Sequence, residues 1–309
     1  MNCIADLPMR LPVICAPMFR ISGPDMVIAA CKSGIGGAFP STNARTIAEL
    51  DEWMGTITDS VTAQDGPWIS NLITHSTRTR LFEELKLLEQ YKPPIVITAL
   101  GSPRPVMEVV KAYGGLVFAD VVNLQLAKKA AEAGVDGMAC ISAGAGGHTG
   151  HLSPFAFISA IREIFDGVIA VGGGISDGAG IAGAIAAGAD CVYMGTRFIP
   201  TQESLAEDRY KAMVLAATAD DIVVSAAVTG TAASWLKASL DEAGFSEEDL
   251  SAKILRDYSG SQSKRWRDIW GAGQGVGRSR TIETIAAVVD DLEHEYREAV
   301  SRFRSITES

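Results

Sequence analysis

The chain holds 309 residues, 47% hydrophobic and 21% charged, enough for a large core and incompatible with intrinsic disorder. Lys plus Arg is 27 against 37 for Asp plus Glu, a net charge of −10 with no basic run, which excludes nucleic acid and anionic membrane as partners. No apolar run reaches the roughly 18 residues of a membrane helix, the N-terminus lacks a signal-peptide core, and the five cysteines (Cys3, Cys15, Cys31, Cys140, Cys191) show no CxxC spacing, so the reading is a cytoplasmic protein with buried free thiols.

Short Val- and Ile-rich runs alternate with amphipathic segments up to about residue 217, as in repeated βα units on a parallel sheet. Eight runs predict strands at 12–17, 36–41, 68–73, 95–100, 116–121, 137–142, 168–175 and 191–198. Between them the helical period recurs. In "NLQLAKKAAEAG" the residues Leu124, Ala127 and Ala131 share a face and Gly134 stops the helix. Eight such units most simply close into a (β/α)8 TIM barrel, with an open doubly wound sheet as the alternative. Residues 1–219 and 279–309 are assigned to the barrel. Residues 220–278 break the pattern and predict a small, mostly helical insertion covering the active site, after which an amphipathic helix at 282–302 returns to the barrel wall.

Active sites of such barrels lie at the C-terminal ends of the strands. Those positions are Ala16, Pro17 and Met18, then Asn71, Ala99 with Gly101, Asp120, Gly144 to His148, Gly172, Gly173 and Gly174, and finally Gly195 with Thr196. Glycines after the seventh and eighth strands suit a phosphate, since a backbone N–H without a neighbouring Cβ can approach its oxygens. Gly178, Gly180 and Gly183 spell G-x-G-x-x-G, but they fall inside a helix begun by Ser176 and Asp177 and read as close helix packing.

"SAGAGGHTGHLSPF" follows the sixth strand and sets His148 over the barrel mouth, in a glycine-rich loop that leaves room for a flat ligand. His151 is the weaker candidate, because Ser153 and Pro154 already begin the next helix; His75 and His294 read as surface residues. No arginine or lysine is seen at the ends of the first seven strands, and alternation turns Arg197 away from the mouth. Tyr258, Trp266 and Trp270 read as core of the insertion, and its basic residues Lys253, Lys264 and Arg265 remain available to clamp a dinucleotide.

"APM" after the first strand, "AGGH" after the sixth, "GGGI" after the seventh, "MGTRF" after the eighth and "AGQGVG" near the C-terminus together resemble the nitronate monooxygenase family and its relative, the flavin-containing enoyl-acyl carrier protein reductase of type II. The resemblance implies non-covalent FMN, with its phosphate at Gly172 to Gly174 and Gly195 to Thr196 and its ring near Ala16 to Met18 and Asn71. It further implies His148 as catalytic base or electrostatic partner, Gln274 reaching the cofactor, contacts from Gly147 and Asp120, and no metal. Two positions depart from the pattern: Gly144 stands where many relatives carry an acid, and Asp120 where some carry a lysine.

The implied activity is oxidation of alkyl nitronates with O2 to carbonyl compounds and nitrite, with a homodimer as the assembly it leaves room for. An NAD(P)H-dependent FMN reductase of quinones or enoyl substrates, and a flavin-binding protein without turnover, are the alternatives.

Overall fold

The computed structural model describes residues 7–251 and 267–307. Eight parallel strands close into a barrel: β1 (Val13–Cys15), β2 (Gly36–Pro40), β3 (Trp68–Ile73), β4 (Ile95–Ala99), β5 (Leu116–Val121), β6 (Gly137–Ile141), β8 (Val168–Gly172) and β9 (Cys191–Met194). β1 pairs with both β2 and β9, and that second pairing seals the ring. Seven helices follow the first seven barrel strands in turn: α1 (Pro24–Lys32), α2 (Ile47–Ser60), α3 (Leu81–Tyr91), α4 (Arg104–Ala112), α5 (Leu124–Ala133), α6 (Pro154–Arg162) and α7 (Gly178–Ala186). The fold class read from the sequence is therefore the one observed.

Alternation along each strand divides the apolar residues into two cores. Ile14, Ala38, Ile69, Ile97, Phe118, Ala139 and Ala170 point inward, whereas Val13, Val117, Cys140 and Val171 point outward against the helices. Four cysteines, Cys15, Cys31, Cys140 and Cys191, are buried free thiols, and burial pushes that of Cys31 up to about 12. Cys3 lies outside the described residues.

The caps follow the sequence signals. Asn123 accepts from the Leu126 N–H and Gly134 ends α5 in a left-handed turn, while Ser153 accepts from Ala156 N–H ahead of Pro154. Asp177 caps α7 through the Gly180 N–H. A Cβ on Gly178 would stand 2.1 Å from the backbone nitrogen of Tyr296, so the G-x-G-x-x-G motif serves helix packing. Its partner is α11 (Ile285–Thr307), which packs on α7 and α1 and thereby supplies the last helix of the wall. Arg10 adds ion pairs to Asp290 at 2.5 Å and Glu293 at 2.8 Å.

After α8 (Asp208–Ala216) the insertion begins with a β-hairpin the sequence reading did not contain, β10 (Ile222–Ser225) and β11 (Ala233–Leu236), before the short helices α9 (Lys237–Glu242) and α10 (Glu247–Ser251). Val228, Ala233, Trp235, Leu240 and Ile269 form a small core of their own. Tyr258, Trp266, Lys253, Lys264 and Arg265 lie outside the described residues. Trp270 stacks on Tyr210 of α8, centroids 5.1 Å apart and planes at 8°.

Arg78 and Arg80 do sit on the loop after β3, contrary to the sequence reading of that strand end. Both turn back onto Glu84, which is 1% exposed and lies 2.7 and 3.0 Å from them, and Arg80 also donates to the Ala44 carbonyl at 2.9 Å. The cluster ties the loops after β2 and β3 together. Glu84→Ala, which strands two half-buried guanidinium groups, is expected to cost about 3 kcal/mol, read as a lower midpoint in urea unfolding, with Glu84→Gln intermediate.

Candidate functional site

The upper barrel interior is formed by Ala16, just past β1, and by Asn71, Ala99 and Asp120, which lie on β3, β4 and β5 at the parity of the inward-pointing Ile69, Ile97 and Phe118. Asn71 donates to the Ile97 carbonyl at 3.3 Å, which leaves its amide oxygen for a ligand. Met18, half-buried, donates its backbone N–H to the Ser22 hydroxyl at 3.0 Å, and its sulfur lies 3.2 Å from where a Gly195 Cβ would be. Pro17 stands between them at the rim. This floor is small and largely apolar.

Asp120 is the exception. Its Oδ1 is buried with no hydrogen-bond partner among the described residues, and burial raises the carboxyl to about 7. The neighbours that sense its charge are Tyr193 of β9 and Cys140 of β6, both of whose pKa values burial also raises.

Three loops meet above the floor. The loop after β6 is held by the Ser142 hydroxyl on the Gly172 carbonyl at 2.7 Å, and by the Thr149 hydroxyl on the Ser142 carbonyl at 3.1 Å. The turn after β8 runs through Gly173 and Gly174, both with positive φ. The C-terminal segment brings Gly273 and Gln274 between them: the Gly144 carbonyl accepts from the Gly174 N–H at 3.1 Å and from the Gln274 N–H at 2.9 Å. A Cβ at Gly273 would lie 2.5 Å from that carbonyl oxygen and 2.8 Å from the Gly146 nitrogen, so only glycine passes there. Thr196 opens a short turn after β9, and its hydroxyl accepts from the Gly273 N–H at 2.9 Å while keeping its own hydrogen to donate.

His148 is not in a free loop, as the sequence suggested. Gly147–His148 form a two-residue strand, β7, that pairs antiparallel with β11, His148 opposite Ala233 and Gly147 opposite Ser234. Strand pairing with the insertion therefore sets the backbone under the imidazole, and Thr149 N–H continues it to the Ala232 carbonyl at 3.2 Å. His151 is exposed and off this sheet. His294 is exposed, and His75 is half-buried on the loop after β3 with its Nδ1 2.8 Å from the Thr77 hydroxyl, away from the site loops. Arg197 lies past the end of β9, in the short 3-10 turn Thr196–Phe198 where strand alternation does not apply, and reaches Ser279 at 2.8 Å and Glu283 at 3.4 Å.

Sequence reasoning thus named the loops but missed three supports: the hairpin behind His148, Ser142 beneath the glycine turn, and Tyr210, whose hydroxyl donates to the Gly271 carbonyl. The β-branched and aromatic residues of "IVVS" and "ASWL", on either side of the turn at Gly230, were the available signal for the first.

A family model described as nitronate monooxygenase matches residues 69–295, most of the chain and every loop of this site after β2. The chain belongs to the nitronate monooxygenase family. Members of this family are flavin-dependent oxidoreductases. A "Nitronate monooxygenase" from Paraburkholderia phytofirmans is 26% identical over 95% of this chain and 94% of its own. A "(3aS,4S,5R,7aS)-5-hydroxy-7a-methyl-1-oxo-octahydro-1H-indene-4-carboxyl-CoA dehydrogenase" from Rhodococcus jostii is 31% identical over 71% of this chain, and the match spans 60% of that protein's length. Among solved structures, FabK from Thermotoga maritima superposes with a TM-score of 0.80 at 25% identity, covering 97% of each chain. Nitroalkane oxidase from Streptomyces ansochromogenes does so with a TM-score of 0.82 at 22% identity, covering 97% of this chain and 99% of its own. No helix among the described residues is long and apolar enough to cross a membrane.

Two outcomes follow from the geometry. Gly273→Ala is expected to destabilise the fold by about 1–3 kcal/mol, since the backbone atoms it meets cannot rotate away; urea unfolding reads this. For Asp120, folding raises the pKa, so its contribution to stability is complete below the usual aspartate value of about 4 and is lost progressively as pH climbs to about 7. Asp120→Asn should therefore gain melting temperature relative to the parent as pH rises over that window and hold the gain above it, which thermal melts across pH will show.

Proposed function

We propose that the protein is an FMN-dependent nitronate monooxygenase that oxidises alkyl nitronates with O2 to carbonyl compounds and nitrite. The observation that carries this reading is the convergence of His148, the glycine turns after β8 and β9, and the Gln274 segment over one small apolar floor. The residues fit a flavin mononucleotide. Ala16, Pro17, Met18 and Asn71 would take the ring, and Gly147 and Gln274 would flank it. Gly172, Gly173, Gly195 and Thr196 would take the phosphate through backbone N–H groups and one hydroxyl. Gly174 belongs to the same turn, although its own N–H is already given to Gly144. Asp120 would face the ring from below. When bound, the flavin supplies the electron acceptor that the amino-acid side chains lack.

The protein's own part is acid–base and positional. A neutral imidazole at His148 suits removal of a proton beside a nitro group, and its protonated form favours the anionic nitronate. Gly144 and Gly146 keep the loop before it free of side chains, which leaves space for a small substrate. Residues 220–278 would cover the mouth and hold β7 in register, acting as one unit beside the barrel of 1–219 and 279–309. A second copy of the chain, if it assembles as a homodimer, would leave this site whole, because every group invoked comes from one chain.

The runner-up, an NAD(P)H-dependent FMN reductase of quinones or enoyl substrates, needs cations for a second set of phosphates. Arg78 and Arg80 are occupied by Glu84, and Arg197 is occupied by Ser279 and Glu283.

The test is anaerobic mixing. The nitronate of 2-nitropropane is expected to bleach the bound flavin, NADH and NADPH much more slowly, and the flavin freed by denaturation should be FMN. His148→Asn should keep the flavin and lose about a hundredfold in turnover, whereas His151→Asn should lose far less. Rapid bleaching by NADH without nitrite from nitronates would transfer the chain to the reductase reading.

A further inference from the structure

In the upper barrel, of which the proposed flavin floor is the top, the inward-pointing residues are apolar or amide except Asp120 and Tyr193. A carboxyl there is costly unless something meets it. On its own barrel β5 pairs with β4, which offers Ile97 and Ala99, and with β6, which offers Ala139 and Ile141. None of these can donate to Oδ1, and the atom is left without a partner among the described residues. The backbone of β5 cannot help either, because its N–H and C=O groups are committed to the ladder. Oδ1 is therefore left inside the upper barrel with its hydrogen-bonding capacity unspent.

Its charge state follows from its surroundings. The titratable groups that feel it are Tyr193 across the barrel and Cys140 on the outer face of β6, and burial raises the pKa of both, so both stay neutral around pH 7. Among the described residues no lysine, arginine or histidine contributes to its ionisation. With no cation to hold the carboxylate, the neutral acid is the form the site favours, and a neutral acid is a hydrogen-bond donor.

We propose that Asp120 is a pH-gated donor to the flavin: as the neutral acid it gives a hydrogen bond to an acceptor on the ring, and as the carboxylate it withdraws that bond and repels the ring's electron density. This rests on the flavin reading above and deepens it. Asp120 is then the group that makes cofactor affinity, and the ease with which electrons enter the flavin, depend on pH.

The experiment is equilibrium binding of FMN alone to flavin-stripped full-length protein, followed by fluorescence from about pH 5 to about pH 9, for the parent and Asp120→Asn, whose amide keeps a donor without a titrating proton. Riboflavin, which lacks the phosphate, is the second probe, so that phosphate ionisation is not mistaken for that of Asp120. The parent is expected to lose about tenfold in affinity for both probes as pH rises through the ionisation of Asp120, while Asp120→Asn holds a flat profile for riboflavin. The reduction potential of the bound flavin should show the same contrast, falling more steeply with pH in the parent. Identical riboflavin profiles in the two proteins would overturn the role given to Asp120 and leave the cofactor reading standing. Failure of the parent to bind either probe at any pH would overturn both.

Discussion

The Gly144 carbonyl is the point on which the site depends. It accepts two backbone N–H groups, one from the turn after β8 and one from the segment that follows the insertion, and so fastens three stretches of chain that are far apart in sequence. Each bond contributes only about 1 kcal/mol net. Their geometric effect is larger, because both partners are main chain and no side-chain rotamer can take up a displacement. The close passage of Gly273 over Gly146 is the steric counterpart of the same contact.

From that fastening the arrangement of the mouth follows. The loop after β6 leaves the barrel at Ser142, meets the C-terminal segment at Gly144 and Gly146, and only then joins β11 at Gly147 and His148. The histidine thus belongs to the small sheet of the insertion, while the floor it overlooks belongs to the barrel. Two separate apolar clusters lie behind the two parts, and Asp120 on the barrel side keeps an oxygen without a hydrogen-bond partner among the described residues.

Much of this was legible in the sequence wherever a repeating period carried it. The barrel strands announced themselves as apolar runs, α5 and α7 through a polar cap and a terminal glycine or alanine turn, and the site loops through glycines crowded at strand ends. The hairpin escaped because its strands are four residues each and its third partner only two, too short for alternation to stand out beside "SAAVTGTAASWL". Glu84 escaped for a different reason. In "LFEELKLLEQ" it reads as a solvent-facing charge, yet it shares a helical stripe with Leu87 and Leu88 and is buried with them. A charge on an apolar stripe signals a buried partner, here two arginines from the preceding loop. Asp120 was legible as a strand-end acid where some relatives carry a lysine, but its isolation could be known only once its neighbours on β4 and β6 were seen to be apolar.

The placement of α11 bears on how the chain comes to be folded on a ribosome. The barrel seals when β1 meets β9, which needs residues up to about 194 to have emerged, yet the groove between α7 and α1 stays uncovered until Ile285, Val288, Val289 and Leu292 arrive. For the time taken to synthesise roughly ninety more residues, at about 5–20 residues per second, a nearly finished barrel carries an open apolar groove. The hairpin β10–β11 is made during that interval, so the partner of the histidine's strand is in hand before the wall is complete. A nascent chain stalled in this window would expose its stickiest surface while already owning most of its site.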